Sequence, residues 1–171
     1  MTASPRKDSA QGKGQSLPHS FACAWQGVKN AFHERNMRIH LAVSLYMYGY
    51  LLIYDFFEVS RTGFAVLFLA NALVMMGEMI NTALENVVDL VEQKYNALCK
   101  AAKDAAAGAV LIGAIFSVAV GIALLWQPQA FRALFAYYRA HPVWIAVLAV
   151  SLALTAWFIF GFGKRTKGKT P

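Results

Sequence analysis

The chain has few charged residues for its length. Asp, Glu, Lys and Arg together account for 15% of the 171 residues, whereas hydrophobic residues account for 58%. Ordinary soluble domains contain about 25% charged residues, so this composition excludes that class and indicates an integral membrane protein. The length is enough for one domain, and no internal repeat is evident.

Cysteine is also scarce, which limits the covalent links the chain can form. Its two cysteines, Cys23 and Cys99, are far apart in the sequence and fall in segments that we place on the cytoplasmic side of the membrane. A disulfide between them is not expected, because thiols stay reduced in that compartment. We therefore expect two reduced thiols that pack within the protein or at the membrane interface.

The N-terminal 19 residues lack the apolar core and the small-residue cleavage pattern of a signal peptide. We expect residues 1–19 to form a polar, flexible tail. The net charge is +7, yet no nucleic-acid-binding module is recognisable, so no nucleic acid partner is predicted. Membrane proteins are commonly basic because their cytoplasmic segments are rich in Lys and Arg.

Long apolar segments predict an all-α membrane protein with a surface helix and four spans. Residues 20–34 have apolar side chains at helical spacing but are too short and polar to cross a bilayer, which is typical of an amphipathic helix on the membrane surface. The spans are predicted at 37–57, 62–89, 101–126 and 142–162. A basic tail, residues 163–171, follows the last span.

The distribution of basic residues predicts the orientation. With the N-terminus in the cytoplasm, 13 of the 16 Lys and Arg residues lie in cytoplasmic segments, and only Arg61, Arg132 and Arg139 face outward. This distribution agrees with the excess of Lys and Arg that cytoplasmic loops carry. We therefore predict an inner-membrane protein with both termini in the cytoplasm.

Four polar residues interrupt the second predicted span. Glu78, Asn81, Glu85 and Asp89 are spaced i, i+3, i+7 and i+11, which places them within an arc of roughly 80° on one helix face. Asn71 falls on the same face seven residues earlier. A carboxylate in hydrocarbon costs about 2.5–3.5 kcal/mol on insertion scales, so this row predicts a functional site. A phosphate-transferring pump, a metal site or a kinase could use it, and polar residues can also simply hold membrane helices together.

Further polar residues follow at the cytoplasmic surface. Lys103 and Asp104 open the third predicted span, close to the end of the second. Carboxylates bind Mg²⁺ through oxygen, and Mg²⁺ in turn binds nucleotide phosphates. Phosphoryl transfer needs positioning, charge neutralisation and a base for the attacking hydroxyl, and a carboxylate at the membrane interface is suited to that last task.

The basic tail contains a pattern that matches a phosphate-binding loop. Residues 163–170 read GKRTKGKT, which fits G-x-x-x-x-G-K-T. Such a loop follows a β-strand, whereas a membrane span precedes this one. We expect the tail to contact anionic lipid headgroups instead.

Two segments of the chain resemble the small prokaryotic diacylglycerol kinase family, which includes the undecaprenol kinases. They are AWQGVKNAFHERNMRIH, residues 24–40, and GEMINTALENVVDLVEQKYNALCKAAKDAAAGAV, residues 77–110. The pattern E-x-x-N-T-A-x-E-x-x-x-D followed by A-K-D-x-A-A carries the resemblance, which extends over residues 20–126. The ERN-x-R-I-H run is more similar to the undecaprenol kinase branch.

The resemblance implies a homotrimer of three-span subunits, each preceded by a surface helix, that phosphorylates a membrane lipid alcohol with ATP and Mg²⁺. It implies that Glu78 is the catalytic base that deprotonates the lipid hydroxyl. It implies that Glu34 and Glu85 are the Mg²⁺ ligands at the nucleotide phosphates. The remaining nucleotide-side residues that it implies are Asn81, Asp89, Lys94, Tyr95, Asn96, Lys103 and Asp104.

The chain departs from the family pattern in three places. Asn96 stands where a His is common, and Cys23 replaces an aromatic residue found in some members near the adenine. The fourth span and the basic tail lie outside the core pattern. We expect undecaprenol as the acceptor, with diacylglycerol as the alternative. A small ion-coupled transporter and a non-catalytic membrane scaffold are the alternatives to a kinase.

Overall fold

The computed structural model describes residues 16–92 and 94–161, and every regular element in this part of the chain is an α-helix. The chain order is α1 Leu17–Ala31, α2 Arg35–Ile53, α3 Arg61–Val91, α4 Ala97–Leu125, α5 Pro128–Ala140 and α6 Pro142–Gly161. The predicted all-α fold is therefore confirmed. Most of the predicted N-terminal tail and the whole basic tail, including the GKRTKGKT pattern, lie outside the described residues.

The helix starts follow from the local sequence. Ser60 caps α3 by accepting a hydrogen bond from the Gly63 backbone N–H at 3.0 Å, and Asn96 caps α4 by accepting from Leu98 N–H at 2.9 Å. Such side-chain oxygens satisfy backbone N–H groups that have no partner within the helix. Pro128 opens α5, where its fixed φ and missing N–H suit the first turn.

Three helices in the described part of the chain are long and apolar enough to cross a membrane, namely α3, α4 and α6. This finding confirms the predicted integral membrane class. The predicted span 37–57 corresponds to α2, which is not among them because Arg35, Arg38 and His40 lower the mean hydropathy of its first half. The 19 residues of α2 extend about 28 Å, close to the hydrocarbon thickness of about 30 Å, so its crossing stays a prediction.

The helix boundaries differ from the predicted ones in two respects. The surface helix begins at Leu17, within the segment predicted as a tail, and none of its residues is buried against the rest of the chain. Most of the residues between the third and fourth predicted spans, for which no helix is predicted, form α5. Pro128, two residues beyond the third predicted span, is the first residue of this helix.

The four long helices α2, α3, α4 and α6 alternate in direction. At one end of the bundle α2 and α4 begin and α3 and α6 end, and we call this the charged end because it contains Arg38, Asp89 and Lys103. At the opposite end, which we call the aromatic end, α5 packs against the last turn of α2 through Tyr54 and Tyr137. The charged end is where sequence analysis placed the cytoplasmic surface.

The closest helix pair is α3 and α4, which pack through small residues. A Cβ atom on Gly77 would lie 3.6 Å from Val110 Cγ2, and one on Gly113 would lie 3.9 Å from Val74 Cγ2. Both valines are buried. Small residues let membrane helices approach closely, which increases their van der Waals contact. This contact holds the polar row of α3 in a fixed position beside α4.

Replacing Gly77 with leucine is expected to destabilise the bundle, because the larger side chain must displace Val110. Overpacking of this kind costs about 1–3 kcal/mol, or about 3–10 °C in the melting temperature of a chain this size. Thermal unfolding in detergent measures the effect. The matched control is Gly49→Leu, since no described heavy atom lies within 4 Å of a Cβ at Gly49. Equal shifts in the two variants would contradict this packing.

Helices α5 and α6 both pack against α2. The Tyr46 hydroxyl is hydrogen-bonded to Ser151 Oγ at 3.0 Å and to Thr155 Oγ1 at 3.1 Å, which joins α2 to α6. The hydroxyls of Tyr50 and Tyr138 are 2.5 Å apart and join α2 to α5. Burial raises the pKa of Tyr138, and the hydrogen bond with Tyr50 raises it further.

Candidate active site

A row of polar side chains on α2 faces the polar row of α3. His40, Ser44 and Tyr48 are spaced four residues apart, so they share one face of α2. Ser44 Oγ donates to Asn71 Oδ1 at 3.1 Å, and Asn71 Nδ2 donates to the Tyr48 hydroxyl at 2.8 Å. One helix turn closer to the charged end, His40 Nε2 lies 3.5 Å from Glu78 Oε1. The polar face of α3 is therefore matched by polar groups on α2.

Glu78 is the most enclosed acidic residue of this row. It is only 6% exposed, in the middle of a helix long enough to span the membrane. Its neighbour His40 is partly exposed, and their contact becomes an ion pair when the imidazole is protonated. A buried carboxylate is costly unless a polar partner faces it. The position of His40 accounts for how the fold tolerates Glu78.

Asn81 lies between Glu78 and Glu85 in the polar row of α3. It is 8% exposed, and its Nδ2 donates to Glu85 Oε1 at 2.9 Å. Its Oδ1 is also buried and accepts no hydrogen bond from the described residues. Buried polar atoms are nearly always hydrogen-bonded, so an unsatisfied acceptor here is suited to a donor from outside the chain. Glu85 lies seven residues beyond Glu78, about 10 Å nearer the charged end at 1.5 Å per residue.

Ion pairs form the outer part of the site at the charged end. Lys103 Nζ is bonded to Asp89 Oδ1, which links the start of α4 to the end of α3. Asp104 does not join this pair, because it is bonded instead to Lys100, one turn earlier on the same helix. Surface ion pairs contribute little stability, about 0–1 kcal/mol. Their relevance here is that they place two cations and two anions beside the end of the α3 row.

The turn between α3 and α4 has the other predicted site residues on its exposed surface. Lys94 donates its backbone N–H to Glu92 Oε1 at 3.0 Å, while Tyr95 is 85% exposed. The side-chain oxygen of Asn96 is occupied in capping α4. No side-chain contact in the described residues joins Tyr95 or Asn96 to the α3 row.

A cleft of about 950 Å³ separates the beginning of α2 from α3. Glu34, Arg35 and Arg38 line one wall, and Thr82 and Asn86 are among the residues that line the other. On α3 these wall residues adjoin the face that carries Glu78 and Glu85. The cleft combines cations, a carboxylate and an amide, and such a combination suits an anionic ligand that brings its own cation.

Arg38 is the least exposed charged residue at the cleft. It is 4% exposed, and its guanidinium carbon lies 5.8 Å from the centre of the Phe158 ring on α6. From the sequence, Arg38 is one of the 13 basic residues in predicted cytoplasmic segments, and no partner is predicted for His40. The available signal was the spacing on α2, where His40, Ser44 and Tyr48 form a polar row that mirrors the row on α3.

The site contains carboxylate oxygens, which are the ligand type that hard divalent cations prefer. Residues 16–92 and 94–161 contain no group of three or more His, Cys, Asp or Glu placed to hold a metal ion. Mg²⁺ is commonly held by one or two protein carboxylates, with substrate phosphates and water as its other ligands. Glu34 in the cleft wall and Glu85 on α3 are carboxylates of that type, so the residues present fit Mg²⁺ only together with a phosphate ligand.

Comparison with known proteins gives a consistent result. A family model described as prokaryotic diacylglycerol kinase matches residues 22–125. A diacylglycerol kinase from Synechocystis sp. is 44% identical over 126 residues, which cover 72% of this chain and 70% of that protein. An undecaprenol kinase from Bacillus subtilis is 37% identical over 113 residues, with coverages of 64% and 87%. A diacylglycerol kinase from Escherichia coli strain K12 is 31% identical over 110 residues, with coverages of 61% and 84%. The family match ends with α4, so α5 and α6 lie outside it.

Proposed function

The chain belongs to the prokaryotic diacylglycerol kinase family and is therefore a lipid kinase, and we propose that it transfers the γ-phosphate of ATP to undecaprenol. The products are undecaprenyl phosphate and ADP. The family implies ATP as co-substrate and a membrane lipid as acceptor. The reaction takes place at the charged end, on the cytoplasmic face of the inner membrane, with both termini in the cytoplasm.

The observation that carries the catalytic assignment is the position of Glu78. It is a buried carboxylate in a membrane helix, it contacts His40 at 3.5 Å, and it lies deeper in the bundle than the carboxylate of Glu85. A lipid alcohol reaches the protein from the bilayer, whereas ATP reaches it from water. The deeper carboxylate therefore serves the lipid hydroxyl, and the shallower one serves the nucleotide.

Glu78 acts as the general base. It accepts the proton of the lipid hydroxyl as that oxygen bonds to the γ-phosphorus of ATP, and the bond from this phosphorus to the bridging oxygen breaks to release ADP. A well-placed base contributes about 10²–10⁴-fold to such a step. His40 orients the Glu78 carboxylate, and Asn81 orients Glu85 through the 2.9 Å hydrogen bond.

Glu34 and Glu85 are the groups that would hold Mg²⁺. When bound, Mg²⁺ neutralises phosphate charge as it does in other phosphoryl-transfer sites. Glu34 lines the cleft, and Asn81 restrains Glu85. The charged end forms the nucleotide side of the site. There Lys103 neutralises phosphate charge, and Asp89 holds Lys103 in place through their ion pair. The other residues that we assign to the nucleotide side are Lys94, Tyr95, Asn96 and Asp104.

The assembly that we propose is a homotrimer in which residues 20–126 form the lipid kinase membrane domain. The large share of exposed apolar residues on α3 and α4 supports an assembly in which these helices contact lipid or other subunits. In such a trimer the surface helix α1 lies on the membrane, where its exposed Leu17, Phe21 and Trp25 enter the headgroup region.

The choice of acceptor rests on the ERNMRIH run at residues 34–40, which resembles the undecaprenol kinase branch. In the structure this run supplies Glu34 and Arg38 to the cleft and His40 to Glu78. Diacylglycerol is the second candidate, because the Synechocystis relative named for that lipid is 44% identical to this chain. Both acceptors are alcohols, so the chemistry at Glu78 is the same for each.

Purified protein in mixed micelles with Mg²⁺ and ATP tests the acceptor directly. Undecaprenol and diacylglycerol are offered in parallel, and transfer of the γ-phosphate is measured for each. We expect kcat/KM to be at least about tenfold higher for undecaprenol, since one or two specific contacts account for such a difference. A preference for diacylglycerol would overturn the proposed acceptor. Transfer to neither lipid by a folded oligomer would contradict the kinase site itself.

A further inference from the structure

Helix α6 lies beyond the region that the family model matches, yet it packs against the helix that bears Arg38 and His40. We propose that α6 is part of the active-site wall and that Phe158 is a positioning residue, which holds the Arg38 guanidinium at the cleft. The inference rests on the proposed nucleotide site. It gives the additional helix a role in the reaction, beyond anchoring the chain in the membrane.

The register between α2 and α6 is fixed by one tyrosine. Ser151 and Thr155 are one turn apart on α6, and both are hydrogen-bonded to the Tyr46 hydroxyl, at 3.0 and 3.1 Å. Three residues beyond Thr155, Phe158 comes next to Arg38, which is eight residues before Tyr46 on α2. Since the two helices run in opposite directions, these contacts follow from a single alignment. The aromatic ring is therefore held beside the cleft by the helix as a whole.

The Phe158 ring restrains the side chain of Arg38. An arginine side chain has several rotatable bonds, and its ordering costs conformational entropy. Arg38 is 4% exposed, lines the cleft and lies with its guanidinium carbon 5.8 Å from the centre of the Phe158 ring. At that distance the negative face of the ring attracts the cation. The contact restrains the side chain of a residue that lines the cleft where we place the nucleotide phosphates.

Phe158→Leu tests the inference, because it keeps an apolar side chain and removes the aromatic face. We expect kcat/KM for ATP to fall about fivefold, the size of effect that a partly desolvated cation–aromatic contact produces. Phe158→Tyr should retain the wild-type value, since its ring has the same face. Phe160→Leu is the matched control, as Phe160 is on the same helix and 70% exposed. Thermal unfolding of each variant in detergent checks that the fold is unchanged.

A double substitution separates positioning from general packing. Arg38→Gln removes the cation that the Phe158 ring attracts, so adding Phe158→Leu to it should cause no further loss of kcat/KM for ATP. Independent effects of the two changes would overturn the inference, and so would equal losses in the Phe158→Leu and Phe160→Leu variants. Failure of Phe158→Tyr to retain activity would overturn it as well. The comparison uses whichever lipid the wild type phosphorylates faster, so a wrong acceptor and a wrong role for Phe158 give different results.

Discussion

Replacing Glu78 with glutamine is expected to lower kcat by at least about a hundredfold, the lower limit of what a general base contributes. The amide has the size of the carboxylate and can still face His40, but it cannot accept the proton of the lipid hydroxyl. The fold should survive, because the change removes a buried charge and keeps a polar group in its place. Initial rates of γ-phosphate transfer at saturating ATP and lipid measure the effect.

The matched control is Glu58→Gln at the aromatic end. Glu58 is exposed, and its contacts with Gln127 are made by its backbone. The Glu58 N–H donates to Gln127 Oε1, and the Glu58 carbonyl accepts from Gln127 Nε2, both at 3.0 Å. Glu58 lies just before α3 begins at Arg61, at the opposite end of that helix from Glu85 and Asp89. A kcat near the wild-type value in the Glu78→Gln variant, with the oligomer intact, would remove Glu78 from the role of base.

The polar row of α3 is the part of the site that sequence alone could predict. Its members follow one another on a single helix, so their common face follows from 3.6 residues per turn. The same holds for the pairing of Asn81 with Glu85, which are four residues apart and hydrogen-bonded in the structure. Local spacing thus predicts contacts within one helix, where the backbone geometry is known in advance.

Contacts between helices were less accessible to sequence analysis. His40 and Glu78 are in contact because α2 and α3 run antiparallel with one particular axial alignment. The sequence of neither helix determines that alignment by itself. The same is true of Arg38 and Phe158, which are 120 residues apart in the chain. The distribution of basic residues predicts that Arg38 lies on the cytoplasmic side of the membrane, but it does not predict which residues Arg38 contacts. Its burial depends on α6, whose position only the structure shows.

The connection between α4 and α6 shows a different limit. Pro128 follows the end of the third predicted span and Pro142 begins the fourth, and both stand at the first position of a helix in the structure. Proline suits that position because its missing N–H has no helical partner there anyway. The segment between them is too polar to be recognised as a span, so hydropathy gave no sign of α5. Its tyrosines contact Tyr50 of α2 and Tyr54, the residue that follows that helix, and these contacts are visible only in the structure.

Replacing Glu34 with glutamine is expected to weaken the response to Mg²⁺ more than it slows the reaction. Loss of a residue that only orients a metal ligand lowers metal affinity about 10- to 100-fold. If Glu34 binds the ion directly at the nucleotide phosphates, its neutralisation should raise the Mg²⁺ concentration for half-maximal rate by at least about that factor. High Mg²⁺ should then restore most of kcat. In Glu78→Gln, by contrast, no concentration of Mg²⁺ should restore the rate, because the missing group is a base.

This contrast depends on Glu34 being dispensable for the fold. Glu34 precedes the first residue of α2, but its side chain makes no capping hydrogen bond to that helix, so glutamine should leave α2 intact. Asp55→Asn at the aromatic end is the matched control for loss of one exposed carboxylate, and its Mg²⁺ dependence should equal that of the wild type. An unchanged Mg²⁺ dependence in Glu34→Gln would leave Glu34 as a wall residue of the cleft. Glu85 would then be the only carboxylate assigned to the ion, and that would require the phosphates to supply more of its ligands.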